Sequence, residues 1–108
     1  MIKPANLDIL RRLKDLSASI LPKGASAWLY GSRARGEDSP ESDWDILILL
    51  DKTKADEGDF NDFAFPYYML GAEVEQNFVP IIYGKVQWNS LRLSPFHRNV
   101  ESDAIPLI

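Results

Sequence analysis

The sequence predicts an α/β (α+β) fold in which helices flank a small mixed β-sheet of three to four strands. Two short apolar segments, residues 25–30 and 44–50, are typical of buried strands, and a segment with helical periodicity precedes the first of them. Helical and strand segments then alternate along the chain, an order typical of helices packed on a sheet. The length of 108 residues suits one hydrophobic core, so we expect a single domain over residues 1–108.

The first predicted element is an amphipathic helix that follows the proline near the start of the chain. Ile9, Leu13, Leu16 and Ile20 recur at spacings of four, three and four residues, which places them on one helical face. Gly24 is expected to cap the end of this helix, because glycine commonly adopts the left-handed conformation at that position.

A short strand, a turn and a second strand are predicted next. Residues 25–30 are predicted to form a buried strand, and Ser32 is the expected N-cap of one or two helical turns over residues 33–35. The polar segment 36–42 contains a proline and is expected to be a loop. The almost wholly apolar segment 44–50 indicates a strand in the centre of the sheet.

The second half of the chain is predicted to hold one more strand between helices. Residues 60–70 are predicted to form a helix that Pro66 interrupts, and most of their aromatic side chains are expected in the core. Residues 73–83 are predicted to form a strand with a bulge or an edge position at its proline. Two short helices, residues 85–93 and 95–100, are expected to follow.

The composition restricts the chemistry that this chain can perform. The absence of cysteine excludes disulfides, a CxxC zinc site and thiol catalysis. The single histidine, His97, excludes a His-rich zinc site, and we expect it on the surface or near a helix end. A metal ion would therefore be held by oxygen ligands, which favours magnesium or manganese over zinc.

The charge and hydropathy of the chain indicate its expected surroundings. The net charge of −4 and the absence of a long Lys/Arg run are not typical of a dedicated nucleic-acid binder. No apolar run approaches the roughly 20 residues that span a bilayer, and the segment from Met1 to Pro4 lacks the apolar region of a signal peptide. We expect a cytoplasmic protein that binds neither a membrane nor, in the first instance, nucleic acid.

The turn after the first predicted strand has the features of a phosphate-binding turn. Gly31 has no Cβ, so a ligand can approach its backbone closely. Ser32 offers a hydroxyl, and backbone N–H groups where a helix begins can face a phosphate. Arg33 and Arg35 add positive charge nearby, and we expect one of these arginines to contact a phosphate. The candidates for nucleotide binding are Gly31, Ser32 and Arg33.

Two aspartates at the start of the second strand predict a metal site. Alternate residues of a strand face the same side, so the carboxylates of Asp43 and Asp45 project together, while Trp44 faces the opposite side and the core. Two carboxylates this close repel unless a cation lies between them. Mg²⁺ accepts a few carboxylate oxygens and completes its octahedron with water and phosphate oxygens. Both aspartates are therefore candidates for metal binding and catalysis.

The conjunction of these two motifs resembles the minimal nucleotidyltransferases of the DNA polymerase β superfamily. That family has a Gly-Ser pair, a loop and then Asp-x-Asp, and here ten residues separate Ser32 from Asp43. The resemblance implies the nucleotidyltransferase fold, Mg²⁺ or Mn²⁺ on Asp43 and Asp45, and the phosphates of an NTP on Gly31 and Ser32. It also implies transfer of an NMP, with ATP as the expected donor, to a hydroxyl of a protein or small molecule, with release of pyrophosphate.

The family resemblance also suggests a partner. Kanamycin nucleotidyltransferase-like enzymes and the antitoxin half of HEPN/MNT toxin–antitoxin pairs share this core, and in the latter the transferase adds AMP to its partner toxin. The chain has little mass beyond the catalytic core, so the acceptor site is expected to come from a helical partner protein or from self-association.

A third carboxylate normally completes the two-metal site of this family on the following strand. Alignment from Gly71 places Glu75 at that position, and we predict Glu75 as the third catalytic residue. Alignment from the end of the strand places Val79 or Pro80 there instead, without a carboxylate, and a register slip of two residues would exchange Glu75 for Glu73. Without a third carboxylate, the alternative is a degenerate module that binds an NTP or a partner.

Overall fold

The computed structural model describes residues 1–108 and consists of a four-stranded sheet with helices on both faces. The helices are α1 (Leu7–Ile20), α2 (Ser32–Arg35), α3 (Glu57–Asp59), α4 (Phe65–Val74), α5 (Lys85–Asn89) and α6 (Pro95–Asp103). The strands are β1 (Ser26–Tyr30), β2 (Trp44–Leu50), β3 (Phe78–Gly84) and β4 (Ile105–Pro106). A 3₁₀ turn, Pro4–Asn6, precedes α1, and a π-helical segment, Phe60–Ala64, joins α3 to α4. No helical segment combines the length and the hydrophobicity of a membrane span.

The sheet has the strand order β3-β2-β1-β4 and is mixed. β1 is antiparallel to both β2 and β4, whereas β2 and β3 are parallel and are joined by the helical segment that ends in α4. The predicted fold class is therefore confirmed, as is the inner position of β2. Parallel pairing places the first residues of β2 and β3 side by side at the same end of the sheet.

Helix α1 confirms the predicted amphipathic helix. Its core-facing side chains are buried or partly buried: Ile9, Leu10, Leu13, Leu16 and Ile20. The prediction that Gly24 caps this helix is wrong, because the chain becomes extended at Leu21 directly after the helix. Gly24 instead has a φ of +86° in the turn before β1.

The main core lies between one face of the sheet and helices α1 and α4. The sheet residues that are fully or almost fully buried there are Ala27, Leu29, Trp44, Ile46, Ile48, Leu50 and Phe78. Trp44 is completely buried, which confirms that it faces the core. Because side chains alternate along β2, Asp45 faces the other side of the sheet.

The second face of the sheet is covered by α5 and α6. Leu47 of β2 packs there against Trp88 and Val100. His97 stacks on Trp88 with ring centroids 4.5 Å apart and is 9% exposed. The expectation that His97 lies at the surface is therefore wrong, because α6 folds back against the sheet and carries the imidazole into this smaller core. The alternative, a position near a helix end, is confirmed, since His97 lies in the first turn of α6.

The third strand begins later than the sequence predicts. Residues 71–74 are the last turn of α4, and Glu75, with a φ of +58°, ends the helix before β3 begins at Phe78. The predicted strand over residues 73–83 is therefore wrong at its start. Alternation of polar and apolar residues imitates a strand there, but Val74 continues the helical spacing of Tyr67 and Leu70, and all three pack on the main core.

The aromatic side chains of the π-helical segment and the first turn of α4 are only partly buried. Tyr67 is fully buried and its hydroxyl lies 2.7 Å from that of Ser17, but Phe65, Tyr68 and Phe60 are 52%, 41% and 38% exposed. The expectation that most of these aromatic side chains lie in the core is therefore wrong. Pro66 lies in the first turn of α4, where its missing N–H removes no helical hydrogen bond, so the helix continues past it.

Candidate functional site

The phosphate-binding turn and the aspartate pair predicted from sequence meet in the structure. Tyr30, the last residue of β1, pairs with Asp45 across the antiparallel ladder, so Gly31 follows directly beside that carboxylate. Gly31 has a φ of +80°, and a Cβ built on it would lie 2.4 Å from Asp45 Oδ2. Only a residue without a side chain allows this approach.

The aspartates form a pair of like charges at the end of the sheet where β2 and β3 begin. Asp43 is exposed and immediately precedes β2, and Asp45 is half-buried. Burial, and then the charge of Asp43, raise the pKa of Asp45, while Arg35 acts in the opposite direction. Burial followed by the charge of Asp45 also raises the pKa of Tyr30 to about 12, so this hydroxyl is protonated at neutral pH. A divalent cation would offset the repulsion between the carboxylates.

Ser32 lies next to this pair, but its local role differs from the prediction. It is the first residue of α2 rather than its N-cap, since Gly31 occupies the cap position, and the Ser32 side chain caps no backbone N–H. The Ser32 carbonyl accepts the N–H groups of Gly36 and Glu37, which closes the short helix. The hydroxyl of Ser32 therefore has no part in helix capping.

Arg33 is turned into the protein instead of towards the turn. The side chain is 6% exposed, and the guanidinium makes five hydrogen bonds of 2.7–3.3 Å. The acceptors are Asn6 Oδ1, Asp38 Oδ2 and the backbone oxygens of Pro40 and Ser42. A guanidinium has five N–H groups, so none is left for a phosphate. The prediction that Arg33 binds the nucleotide is corrected to a structural role on this ground.

This arrangement fixes the loop that delivers Asp43 to the site. The guanidinium of Arg33 donates to the carbonyl of Ser42, the residue before Asp43. It also lies 4.9 Å from the ring centre of Trp44, the residue after Asp43. Asp38, which was not predicted as part of the site, has a side chain that is 4% exposed and forms the buried ion pair with Arg33. A buried arginine needs an anionic partner, but the polar loop offers Glu37 and Asp38 side by side, so the sequence alone does not select Asp38.

The accessible cation next to the site is Arg35. Its guanidinium donates to Glu37 Oε1 and Asp103 Oδ2, each at 2.6 Å, and its side chain is 43% exposed. Its charge favours the ionised form of Asp45. Of the two arginines in α2, Arg35 is therefore the one whose charge acts on Asp45 while its side chain remains partly in solvent.

Comparison with known proteins identifies the family and the fold of this chain. The sequence matches the family described as nucleotidyltransferase domain over residues 8–106. The chain belongs to this family. A solved structure described as "Crystal structure of the toxin-antitoxin with AMP-PNP" has the same fold, with a TM-score of 0.63 and 19% identity over 92% of this chain and 72% of the other. No curated protein matches the chain in sequence.

The third acidic residue predicted for this nucleotidyltransferase domain does not join the other two. Glu75 is exposed at the end of α4. Its catalytic role was predicted from a position on the third strand, and that predicted position is wrong. Glu73 forms an ion pair with Arg12 of α1. No group of three or more His, Cys, Asp or Glu side chains in residues 1–108 lies close enough to share a metal ion.

Two uncharged residues of the nucleotidyltransferase domain lie beside the aspartates on the neighbouring strand. Val79 of β3 pairs in register with Asp45. Asn77, immediately before β3, donates a hydrogen bond of 2.6 Å from Nδ2 to Asp43 Oδ1. The sequence alone does not identify Asn77 as a neighbour of Asp43, because that position depends on the parallel register of β2 and β3.

Proposed function

We propose that this nucleotidyltransferase domain binds an NTP with Mg²⁺ and transfers the NMP to a hydroxyl group, with ATP as the donor and AMP as the transferred group. The observation that carries the proposal is the contact of Gly31 with Asp45, which joins the turn for the phosphates to the carboxylates for the metal. Asp43 and Asp45 would hold Mg²⁺, and their oxygen ligands fit this ion, with Mn²⁺ as a substitute.

The reaction requires little covalent chemistry from the protein. The acceptor oxygen attacks the α-phosphorus, the bond from that phosphorus to the bridging oxygen breaks, and pyrophosphate leaves with the electron pair while the hydroxyl proton passes to solvent or a partner group. A bound Mg²⁺ would neutralise the charge that develops on the phosphate oxygens. The residues of this chain position the reactants: the backbone at Gly31 and the hydroxyl of Ser32 would contact the phosphates.

We propose a partner protein as the acceptor. The fold neighbour is described as a toxin–antitoxin with AMP-PNP, which supports an adenine nucleotide and a protein partner for this chain as well. The partner is expected to be helical, as in HEPN/MNT pairs, or to be a second copy of this chain. Nucleic acid is a less suitable acceptor, because the chain carries a net charge of −4.

A second candidate function is supported by the residue opposite Asp45. Val79 supplies no carboxylate, and Glu75 lies on another element, so the site offers no third acidic ligand. The alternative is therefore a regulatory module that binds the NTP and a partner without transferring the NMP.

The two functions differ in the fate of the α-phosphate. The chain is incubated with Mg²⁺, a candidate partner and ATP labelled at the α- or the γ-phosphate. Transfer predicts that the partner gains the α-label but not the γ-label, and that the Asp43→Ala/Asp45→Ala variant abolishes labelling. The matched control, Asp8→Ala/Asp62→Ala, removes two exposed aspartates elsewhere and should leave labelling unchanged. Binding of Mg·ATP without labelling supports the regulatory module, and absence of binding rejects both functions.

A further inference from the structure

At the end of the sheet that carries Asp43 and Asp45, the neighbouring residues of the β3 segment are uncharged. In a parallel pair, residues in register face the same side of the sheet, so Val79 lies beside Asp45 on the same face. Asn77 lies beside Asp43 and bonds to it. The two positions adjacent to the aspartates are thus an aliphatic side chain and a neutral amide.

The remaining acidic residues of this region are held elsewhere. Glu73 is paired with Arg12, and Glu75 is placed at the end of α4 by the left-handed turn that stops the helix. With no third acidic residue grouped with the aspartates, the protein contributes two carboxylates to this end of the sheet. Two metal ions about 3.5–4 Å apart would have to share these two carboxylates and the phosphates of the nucleotide. A second ion would lack a further carboxylate ligand, because the neighbouring strand offers only the aliphatic Val79 and the amide of Asn77.

We propose that this site binds one divalent metal ion together with the nucleotide, not two, and that Asn77 orients Asp43 for that ion. The proposal rests on the function proposed above and specifies its metal requirement. Mg²⁺ in nucleotide sites is commonly held by one or two carboxylates plus the phosphates, which is the ligand set that Asp43, Asp45 and an NTP provide.

The geometry of Asn77 suits this positioning role. An ionised carboxylate only accepts hydrogen bonds, so the NH₂ group of Asn77 must face Asp43. The bond to Oδ1 leaves Asp43 Oδ2 for a metal ion. The backbone oxygen of Asn77 also accepts the N–H of Trp44 at 2.9 Å. This hydrogen bond holds the segment before β3 against the start of β2, so that Asn77 stays beside Asp43.

The number of bound ions is measured with Mn²⁺ and a non-hydrolysable ATP analogue. One molecule of analogue is added per chain, at concentrations well above the dissociation constant of the nucleotide. Electron paramagnetic resonance distinguishes an isolated Mn²⁺ ion from a pair of ions a few ångströms apart, because the pair is magnetically coupled. We expect an isolated ion and one Mn²⁺ per complex. A coupled pair in the wild type would overturn this proposal alone, whereas no nucleotide-dependent Mn²⁺ at all would overturn the proposed function as well.

Variants of the neighbouring strand test the positions. Asn77→Asp adds a carboxylate with almost no change of shape and is expected to bind a second Mn²⁺ and give the coupled spectrum; Val79→Asp provides the same test beside Asp45. Asn61→Asp makes the same charge change at an exposed position of the π-helical segment and should keep one ion. If neither Asn77→Asp nor Val79→Asp gains an ion, the assignment of these positions is wrong.

Removal of the amide tests the positioning role separately. Asn77→Ala should weaken Mn²⁺ binding by about 10–100-fold, the usual effect of losing a group that orients a ligand, and Asn77→Ser, which keeps a donor, should recover part of the loss. The melting temperature is measured in parallel with the Mn²⁺ affinity. An Asn77→Ala variant with unchanged Mn²⁺ affinity would overturn the role of Asn77.

Discussion

The carboxylate of Asp45 lies against the α-carbon of Gly31, so closely that a methyl group on Gly31 would be 2.4 Å from Asp45 Oδ2. This contact joins two segments that are distant in sequence, the turn after β1 and the beginning of β2. It exists because the antiparallel register pairs Tyr30 with Asp45. The turn and the first strand pair thereby place the residues proposed for the phosphates beside those proposed for the metal.

The first prediction concerns this contact. Gly31→Ala should lose Mg·ATP binding and lower the free energy of unfolding by about 1–3 kcal/mol, because a φ of +80° is strained for alanine and its methyl group displaces the carboxylate. Calorimetric titration and urea denaturation measure the two effects. Gly58→Ala is the control, since Gly58 is exposed in α3 and has no positive φ. Nucleotide affinity equal to that of the wild type in Gly31→Ala would contradict the role of the contact.

The second prediction separates stability from binding at the aspartates. Without metal, Asp45→Asn should be more stable than the wild type at pH 7, because burial and the charge of Asp43 disfavour the ionised Asp45, as the raised pKa of Asp45 indicates. With Mg²⁺ and nucleotide at about 100 times the dissociation constant, the wild type should gain about 2.7 kcal/mol and the variant much less. Thermal denaturation with and without Mg·nucleotide checks both. An equal gain in both proteins would show that Asp45 does not hold the metal.

The third prediction assigns Arg33 to structure. Arg33→Ala leaves Asp38 buried without its charged partner, and loss of one member of a buried pair typically costs about 3–5 kcal/mol. Urea denaturation should show this loss, whereas Arg11→Ala, which breaks only an exposed pair, should change stability by less than about 0.5 kcal/mol. A stable Arg33→Ala protein that binds Mg·ATP weakly would instead indicate direct contact between Arg33 and the nucleotide.

The fourth prediction is a dependence of stability on pH that comes from Asp38. Burial acts to raise the pKa of Asp38, but hydrogen bonds from Asn6 and from its own backbone, with the charges of Arg33 and Lys3, lower the pKa overall. An aspartate with a lowered pKa in the folded state stabilises the protein above its unfolded pKa of about 3.9, and this contribution is lost as the pH falls below that value.

Asp38→Asn tests this dependence by removing the titrating group. The variant should be less stable than the wild type at pH 7, and the difference should decrease as the pH is lowered from 5 to 3. Urea denaturation across this range provides the measurement. A difference that is constant with pH would show that Asp38 contributes through packing and not through its charge.

The parts of the fold that sequence predicts well are those where one local pattern dominates. The helical period of α1 and the apolar run of β2 each fit only one type of secondary structure. The spacing from Ser32 to Asp43 predicts the candidate site. The start of β3 was not predictable, because the alternation around Val74 fits a strand and only packing on the core selects the helix. The inward direction of Arg33 depends on how the loop closes, and that closure is a tertiary property.

The central claim is that Gly31, Ser32, Asp43 and Asp45 form one site for an NTP and its metal. A crystal of the protein soaked with Mg²⁺ and a non-hydrolysable ATP analogue tests it most directly. We predict the triphosphate at the turn of Gly31 and Ser32, with one metal ion bound by Asp43 and Asp45. A nucleotide bound elsewhere, or a metal ion held by Glu75 without these aspartates, would contradict the claim.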